Sequence, residues 1–206
     1  WLQFLTYALY WMFVDESLTY LYLLDTFEGF DHTQFAHYVL YDSILNTVVG
    51  AFIFTPLTTN YFKLEDTTMQ LIITAIESLG YFFVPLAGTI WQFYLVRSLN
   101  ALMLCKWPIV RSFLSKITEP EELGKILTGI AVVTGIIPFI RTPAFTEIYK
   151  ASLGTFPGSI WILAGASLLI AFDLNAIFYM KRKILFPKGM IRDLLSQSRN
   201  YTFFFI

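Results

Sequence analysis

Long runs of apolar residues fill this sequence, and short polar gaps separate them. Six runs are long enough to cross a bilayer, because a hydrocarbon core of about 30 Å needs roughly 20 residues in a helix. We predict spans at residues 1–24, 35–61, 67–86, 89–110, 123–149 and 159–180. The pattern predicts an all-α membrane protein, a bundle of six transmembrane helices over residues 1–183, with a tail at residues 184–206.

The charges of the gaps alternate, and this alternation predicts an orientation. Basic residues collect after the second, fourth and sixth spans: Lys63, Arg111, Lys116, Lys125, Lys181, Arg182, Lys183, Lys188, Arg192 and Arg199. The intervening gaps are acidic or nearly uncharged. Because positively charged loops stay in the cytosol, we expect a multi-pass protein of the plasma membrane with a cytosolic tail.

The composition is typical of an integral membrane protein. The chain is 56% hydrophobic and 14% charged, whereas a soluble domain is about one quarter charged. A net charge of −1 argues against nucleic acid as a partner. One cysteine, Cys105, and two histidines supply neither a metal site nor a clustered nucleophile, so we predict no metal, no cofactor and no enzymatic activity.

Three carboxylates fall inside the first two predicted spans. Asp15 and Glu16 lie in the first span and Asp42 lies in the second. Acids that cluster in a low dielectric raise one another's pKa, so these three are candidates for coupling transport to protons. The alternative is that they hydrogen-bond to neighbouring hydroxyl groups and never change their protonation.

Two further charges fall near the middle of the third and fourth spans. Glu77 and Arg97 lie at similar depth when residues are counted from the gap between these spans, so we predict a buried ion pair between them. The pair fits a structural role, and contact of Arg97 with a solute is the alternative. Lys106 and Asp173, nearer the cytosolic ends of their spans, are a weaker candidate pair.

Arg141 lies in the fifth span between Pro138 and Pro143. An arginine beside helix kinks is a candidate to bind a carboxylate or phosphate on a solute through two parallel hydrogen bonds. The alternative is that its side chain extends to the membrane surface.

Two segments resemble a known family. Residues 111–117 (RSFLSKI) with 122–125 (ELGK), and residues 148–153 (IYKASL) with 156–158 (FPG), resemble the loops before the last two helices of proton-coupled folate transporters. Residues 18–24 are similar to that family's seventh helix. The family also includes the thymic stromal cotransporter-like proteins and lies within the major facilitator superfamily.

The resemblance implies the C-terminal half of a two-halved transporter that binds solute between its halves. It also implies a missing N-terminal half of six helices, expected on the same polypeptide, and the chain's start at Trp1 inside an apolar run fits part of a longer protein. On this resemblance Arg111 corresponds to an arginine of functional importance, either at an inner gate or as a positive anchor. Folate carriers keep a histidine where this chain has Asp42 and Ser43, which leaves folate unsupported as the solute.

These observations predict a transporter for an organic anion or similar small solute, with the proton as coupling ion and alternating access as mechanism. Asp15, Glu16 and Asp42 are the coupling candidates, and Arg97 and Arg141 are the solute-binding candidates. The alternative function is a membrane receptor or scaffold that transports nothing, in which all buried charges pair internally.

Overall fold

The computed structural model describes residues 18–118 and 120–185. Helices joined by short loops make up this part of the chain, without strands. Its α-helices are, in chain order, α1 (Thr19–Thr26), α2 (His32–Leu45), α3 (Asp66–Phe83), α4 (Ile90–Arg97), α5 (Lys106–Ile117), α6 (Pro120–Ser152) and α7 (Ser159–Leu185). The π-helical segments Asn46–Phe54 and Leu57–Tyr61 prolong α2. The 3₁₀ segment Val84–Leu86 prolongs α3, and two more, Ser98–Asn100 and Met103–Cys105, join α4 to α5.

The length and hydrophobicity of these helices fit a membrane protein. Within the described residues, four helices are long and apolar enough to cross a bilayer: His32–Tyr61, Asp66–Leu86, Glu121–Ser152 and Ser159–Ile177. The chain is an all-α membrane protein, as the hydrophobic pattern predicts. Most of the first predicted span lies outside the described residues, which include only its last part as α1.

The fourth predicted span is interrupted rather than continuous. α4 ends at Arg97, and α5 begins only at Lys106. Pro108 supplies a physical reason, because it has no N–H to donate to the carbonyl of Leu104 and its ring collides with that carbonyl in an α-helix. Residues 98–105 therefore form two tight 3₁₀ turns, which we call the α4–α5 joint. Two prolines in α6, by contrast, do not end that helix.

The connections between helices gather at two ends of the bundle. The loops at residues 27–31, 87–89 and 153–158 form what we call the Asp25 end, where Tyr149 Oη donates a hydrogen bond to Asp25 Oδ2 at 2.5 Å. The loop at residues 62–65 and Thr118 form the Asp66 end, where Lys116 Nζ lies 2.7 Å from Asp66 Oδ2. At each end, a polar contact thus links two helices that are distant in sequence.

α3 is the central helix of the described bundle. Half of the residues in its most apolar window are buried (50%), against 11% for α6. α3 packs mainly along α7, where Ser78 Oγ donates a buried hydrogen bond of 3.0 Å to the carbonyl oxygen of Gly165. The ring of Phe82 fills the space beside Gly165. Small residues at such contacts let membrane helices approach closely, so this pair of helices forms the base on which the others pack.

A second close contact brings α2 against the α4–α5 joint. A Cβ atom at Gly50 would lie 2.9 Å from the carbonyl oxygen of Ala101 and 3.1 Å from Cys105 Sγ. The first of these neighbours is backbone, which cannot rotate away. Glycine is therefore required at this position by the approach of the two chains.

We expect Gly50→Ala to destabilise the protein by about 1–3 kcal/mol, because the added methyl group overpacks the contact with Ala101. Gly129→Ala is the matched control, since a Cβ at Gly129 meets nothing within 4 Å and alanine favours the helix. The measurement is the thermal unfolding midpoint of the purified full-length protein in detergent. Equal midpoints for the two variants would contradict the close contact.

Candidate functional site

A buried arginine lies where four helices meet. Arg97, at the end of α4, is 1% exposed. Its Nε donates a hydrogen bond of 2.9 Å to the hydroxyl oxygen of Tyr38 on α2. A guanidinium group cannot lose its charge at physiological pH, so it must be stabilised where it lies. The surrounding side chains provide this stabilisation.

Aromatic rings form two walls around the guanidinium group. The Cζ atom of Arg97 lies 5.4 Å from the ring centroid of Tyr81 on α3 and 5.7 Å from that of Trp161 on α7. These two rings are themselves stacked, with centroids 5.8 Å apart and planes inclined by 18°. Cation–π attraction of this kind strengthens when the cation is removed from water. We call Arg97, Tyr38, Tyr81 and Trp161 the Arg97 cage.

α1 packs against the cage from the Asp25 end. Tyr22 contacts Trp161 edge-to-face at 5.5 Å between centroids and also approaches the ring of Phe93 on α4. Tyr22 is itself buried, at 2% exposure. The cage itself is formed by four helices, α2, α3, α4 and α7, and α1 packs against it as a fifth. Motion of any of these helices changes the surroundings of Arg97.

The structure places a different cation against Glu77 than the one predicted from the sequence. The cation bonded to the carboxylate of Glu77 is Lys106 at the start of α5, and both residues are buried. The weaker candidate partner of Lys106, Asp173, is exposed on α7. Arg97 instead lies against Tyr81, one helical turn further along α3 from Glu77.

Helix stagger and side-chain tilt explain this exchange of partners. Counting from the loop at residues 87–89 places Gly80 opposite about residue 95, but Gly80 lies beside Leu99 and Asn100, a shift of about one turn. Helical side chains also lean toward the N-terminus of their own helix. In the antiparallel pair α3 and α5, Glu77 and Lys106 therefore lean toward each other, whereas the side chain of Arg97 leans away from Glu77.

The other predicted site residues are dispersed. Asp42 on α2 is half-buried, and its Oδ2 accepts a hydrogen bond of 2.9 Å from Asn46 Nδ2. Arg141 on α6 is half-buried, and Arg111 on α5 is exposed. Asp15 and Glu16 lie outside the described residues, so their roles as coupling candidates stay predictions.

Sequence reasoning missed a polar contact and an aromatic stack that lie near the predicted residues. Next to Asp42, Tyr41 shares a hydrogen bond of 2.6 Å with Ser98 Oγ and stacks on Tyr94 with centroids 5.3 Å apart. The high aromatic content was a signal, but only the packing of α2 against α4 reveals which rings meet. The contact between Asp25 and Tyr149 was missed for the same reason.

No protein-family model matches the chain. Curated relatives do match: it is 25% identical over 128 residues to the lysosomal proton-coupled steroid conjugate and bile acid symporter SLC46A3 of Mus musculus, covering 62% of this chain and 26% of that protein. It is 26% identical over 127 residues to the class C tetracycline resistance protein of Escherichia coli, covering 62% of this chain and 31% of that protein.

A third relative is solute carrier family 46 member 2 of Mus musculus, 22% identical over 116 residues, covering 56% of this chain and 24% of that protein. The matched regions thus span about a quarter to a third of the relatives' lengths. These relatives confirm the resemblance that the loop motifs predict, and their names describe transport or drug resistance rather than enzymatic activity.

We expect Tyr38→Phe to lower stability by roughly 1.5–3 kcal/mol, because it removes the acceptor for a hydrogen bond from a buried charge. Tyr61→Phe is the control, since Tyr61 on the same helix is 76% exposed. Thermal unfolding of the full-length protein in detergent compares the two. If Tyr38→Phe melted at the wild-type temperature, its hydroxyl group would not be supporting Arg97.

Proposed function

We propose that this chain is one six-helix half of a solute transporter that works by alternating access and carries an amphipathic organic anion together with protons. The other half precedes it on the same polypeptide, and solute binds between the two. The proposal places the protein in the plasma membrane, with its C-terminal tail in the cytosol. Because SLC46A3 is named as lysosomal, the localisation of a tagged full-length protein tests that membrane assignment separately.

The observation that carries the proposal is the Arg97 cage. A permanent cation inside the bilayer is costly, so its retention needs a structural or functional reason. A cation flanked by aromatic rings suits a solute that combines a negative group with a large apolar body. Steroid conjugates and bile acids, named for SLC46A3, are compounds of this kind, and we propose them as the substrate class.

Arg97 is 1% exposed in this conformation, so a solute reaches it only after the cage opens. Alternating access moves one half of a transporter against the other around a site between them, so opening of the cage within this half is a further step of the proposal. The cage draws its residues from separate helices, and movement of α2 relative to α4 would separate Tyr38 from Arg97. We therefore propose that solute binding replaces some of the contacts that Arg97 makes within the protein.

A receptor or scaffold remains the second candidate, and one observation favours it. Glu77 and Lys106 neutralise each other inside the bundle, which is what a purely structural arrangement of charges requires. The two functions differ in what the full-length protein does to a solute. A scaffold leaves the solute on its original side of the membrane.

We expect the full-length protein, reconstituted in liposomes, to take up a tritiated steroid sulfate but not the neutral parent steroid above its passive leak. Arg97→Gln should lower uptake roughly tenfold or more, because hydrogen bonds to charged groups contribute about 1.5–3 kcal/mol. Lys150→Gln is the control, since Lys150 forms an exposed pair with Glu147.

Uptake equal to that of empty liposomes would favour the scaffold. Uptake by the wild type that Arg97→Gln leaves intact would keep transport but remove Arg97 from the solute site. A melting curve for each variant separates lost binding from lost folding.

Proton coupling predicts faster uptake with the outside at about pH 5.5 than at about pH 7.5, since an inward proton gradient then drives the solute. Asp42→Asn and Glu16→Gln should make uptake insensitive to the gradient, and a pH dependence that both variants leave unchanged would remove these carboxylates from the coupling. Glu28→Gln is the control, because Glu28 is an exposed carboxylate in the loop at residues 27–31. An uptake rate that is the same at both pH values in the wild type would rule out the proton as coupling ion.

A further inference from the structure

Glycines of two neighbouring helices face the α4–α5 joint. Gly50 of α2 faces Ala101 and Cys105, and Gly80 of α3 faces Leu99 and Asn100. Both glycines leave room for the 3₁₀ turns, where a larger residue would press on the joint. The joint is partly buried, since Leu102 and Cys105 pack into a core cluster whereas Leu104 is exposed. Hinges are formed by a few residues at the ends of helices, and the two 3₁₀ turns occupy such a position between α4 and α5.

Asn100 in the middle of the joint is poorly satisfied. It is 2% exposed, and within the described part of the chain neither its Oδ1 nor its Nδ2 has a hydrogen-bond partner. A buried amide without partners costs free energy that the rest of the fold must offset. A second arrangement of the joint in which the amide is bonded would remove this cost.

α5 is held to α3 by polar contacts at two levels. Near the joint, Lys106 bonds to Glu77, with side-chain exposures of 9% and 1%. At the Asp66 end, Asp66 accepts hydrogen bonds from Ser112 at 3.0 Å and from Lys116 at 2.7 Å. The Lys116 side chain is 61% exposed, so water competes for the outer pair and it contributes little. The buried pair is the stronger tie.

α3 itself cannot follow α5 easily. It is packed along α7 over much of its length and bonded to it through Ser78 and Gly165. A displacement of α5 relative to α3 therefore breaks the contacts of Ser112 and Lys116 with Asp66 and strains the bond between Lys106 and Glu77. The position of Lys106 as the first residue after the joint places this bond where the moving piece begins.

We propose that α5 swings about the α4–α5 joint to open the Asp66 end of the bundle, and that the Glu77–Lys106 ion pair is the releasable contact that fixes the start of α5 on α3 and so restrains this movement. The inference assigns Glu77 and Lys106 as positioning residues for α5. It rests on the proposed function only for its role in transport, since the movement itself is measured without a solute.

Cys105 provides a native probe of this movement. It is 2% exposed, next to Lys106, and lies within 3.5 Å of Thr55 Oγ1. Its modification by N-ethylmaleimide requires the joint to open, so the labelling rate measures how often it opens. The rate is followed in the detergent-purified full-length protein by mass spectrometry of the peptide that contains Cys105.

Lys106→Met and Glu77→Gln should each raise the labelling rate of Cys105 about tenfold or more, because each variant removes the ion pair. The charge-exchanged double variant Glu77→Lys with Lys106→Glu should return the rate toward that of the wild type. Lys116→Met removes only the exposed pair with Asp66 and should leave the rate within about twofold of wild type.

A second probe distinguishes local opening from unfolding. Ala164→Cys lies on α7, is 2% exposed and belongs to the aromatic core rather than to the contact with α5. Its labelling should stay slow in the variants that expose Cys105. Parallel acceleration at both cysteines, or an unchanged rate at Cys105 in Lys106→Met and Glu77→Gln, would overturn the proposal. Fast labelling of Cys105 without any steroid sulfate uptake would keep the hinge and reject the proposed function.

Discussion

A charge that enters the bilayer with this chain must be stabilised by another group of the protein, and this constraint determines which helices meet. Lipid supplies no hydrophobic force to drive helices together, so close packing and polar contacts hold the bundle. Glu77 with Lys106 joins α3 to α5, and Arg97 joins α4 to α2, α3 and α7. The most buried helix, α3, contributes to both arrangements.

The helical, membrane-spanning character of the bundle was predictable because the hydrophobic pattern is decided locally. A run of about 20 apolar residues is a helix in lipid whatever its neighbours are, since no other structure satisfies its backbone. The break at residues 98–105 was not predicted, although Pro108 was a visible signal. Proline disturbs the helical turn that precedes it. Because α6 continues through two prolines, the sequence alone does not reveal which helix is interrupted.

The partners within the site were less predictable than the spans. Arg97 and Glu77 were each recognised as buried charges, but their pairing depends on a stagger of about one turn between α3 and α4. That stagger is visible in the contact of Gly80 with Asn100. No sequence pattern links these two residues, so the contact could not be predicted. The rings that surround Arg97 come from three positions spread over the chain, and only the packed structure brings them together.

The two charged arrangements on α3 are close enough to influence each other. Glu77 and Tyr81 are four residues apart and therefore lie on one face of the helix. A ligand shifts a conformational equilibrium only by binding one state better than the other. A solute anion that draws Arg97 away from Tyr81 would change the surroundings of that ring, one turn from the carboxylate that holds α5. The cage lies before the α4–α5 joint and Lys106 lies after it, so the joint lets the Asp66 end respond while α4 stays in place. We therefore expect occupation of the cage and opening of the Asp66 end to be coupled through α3 rather than along α4.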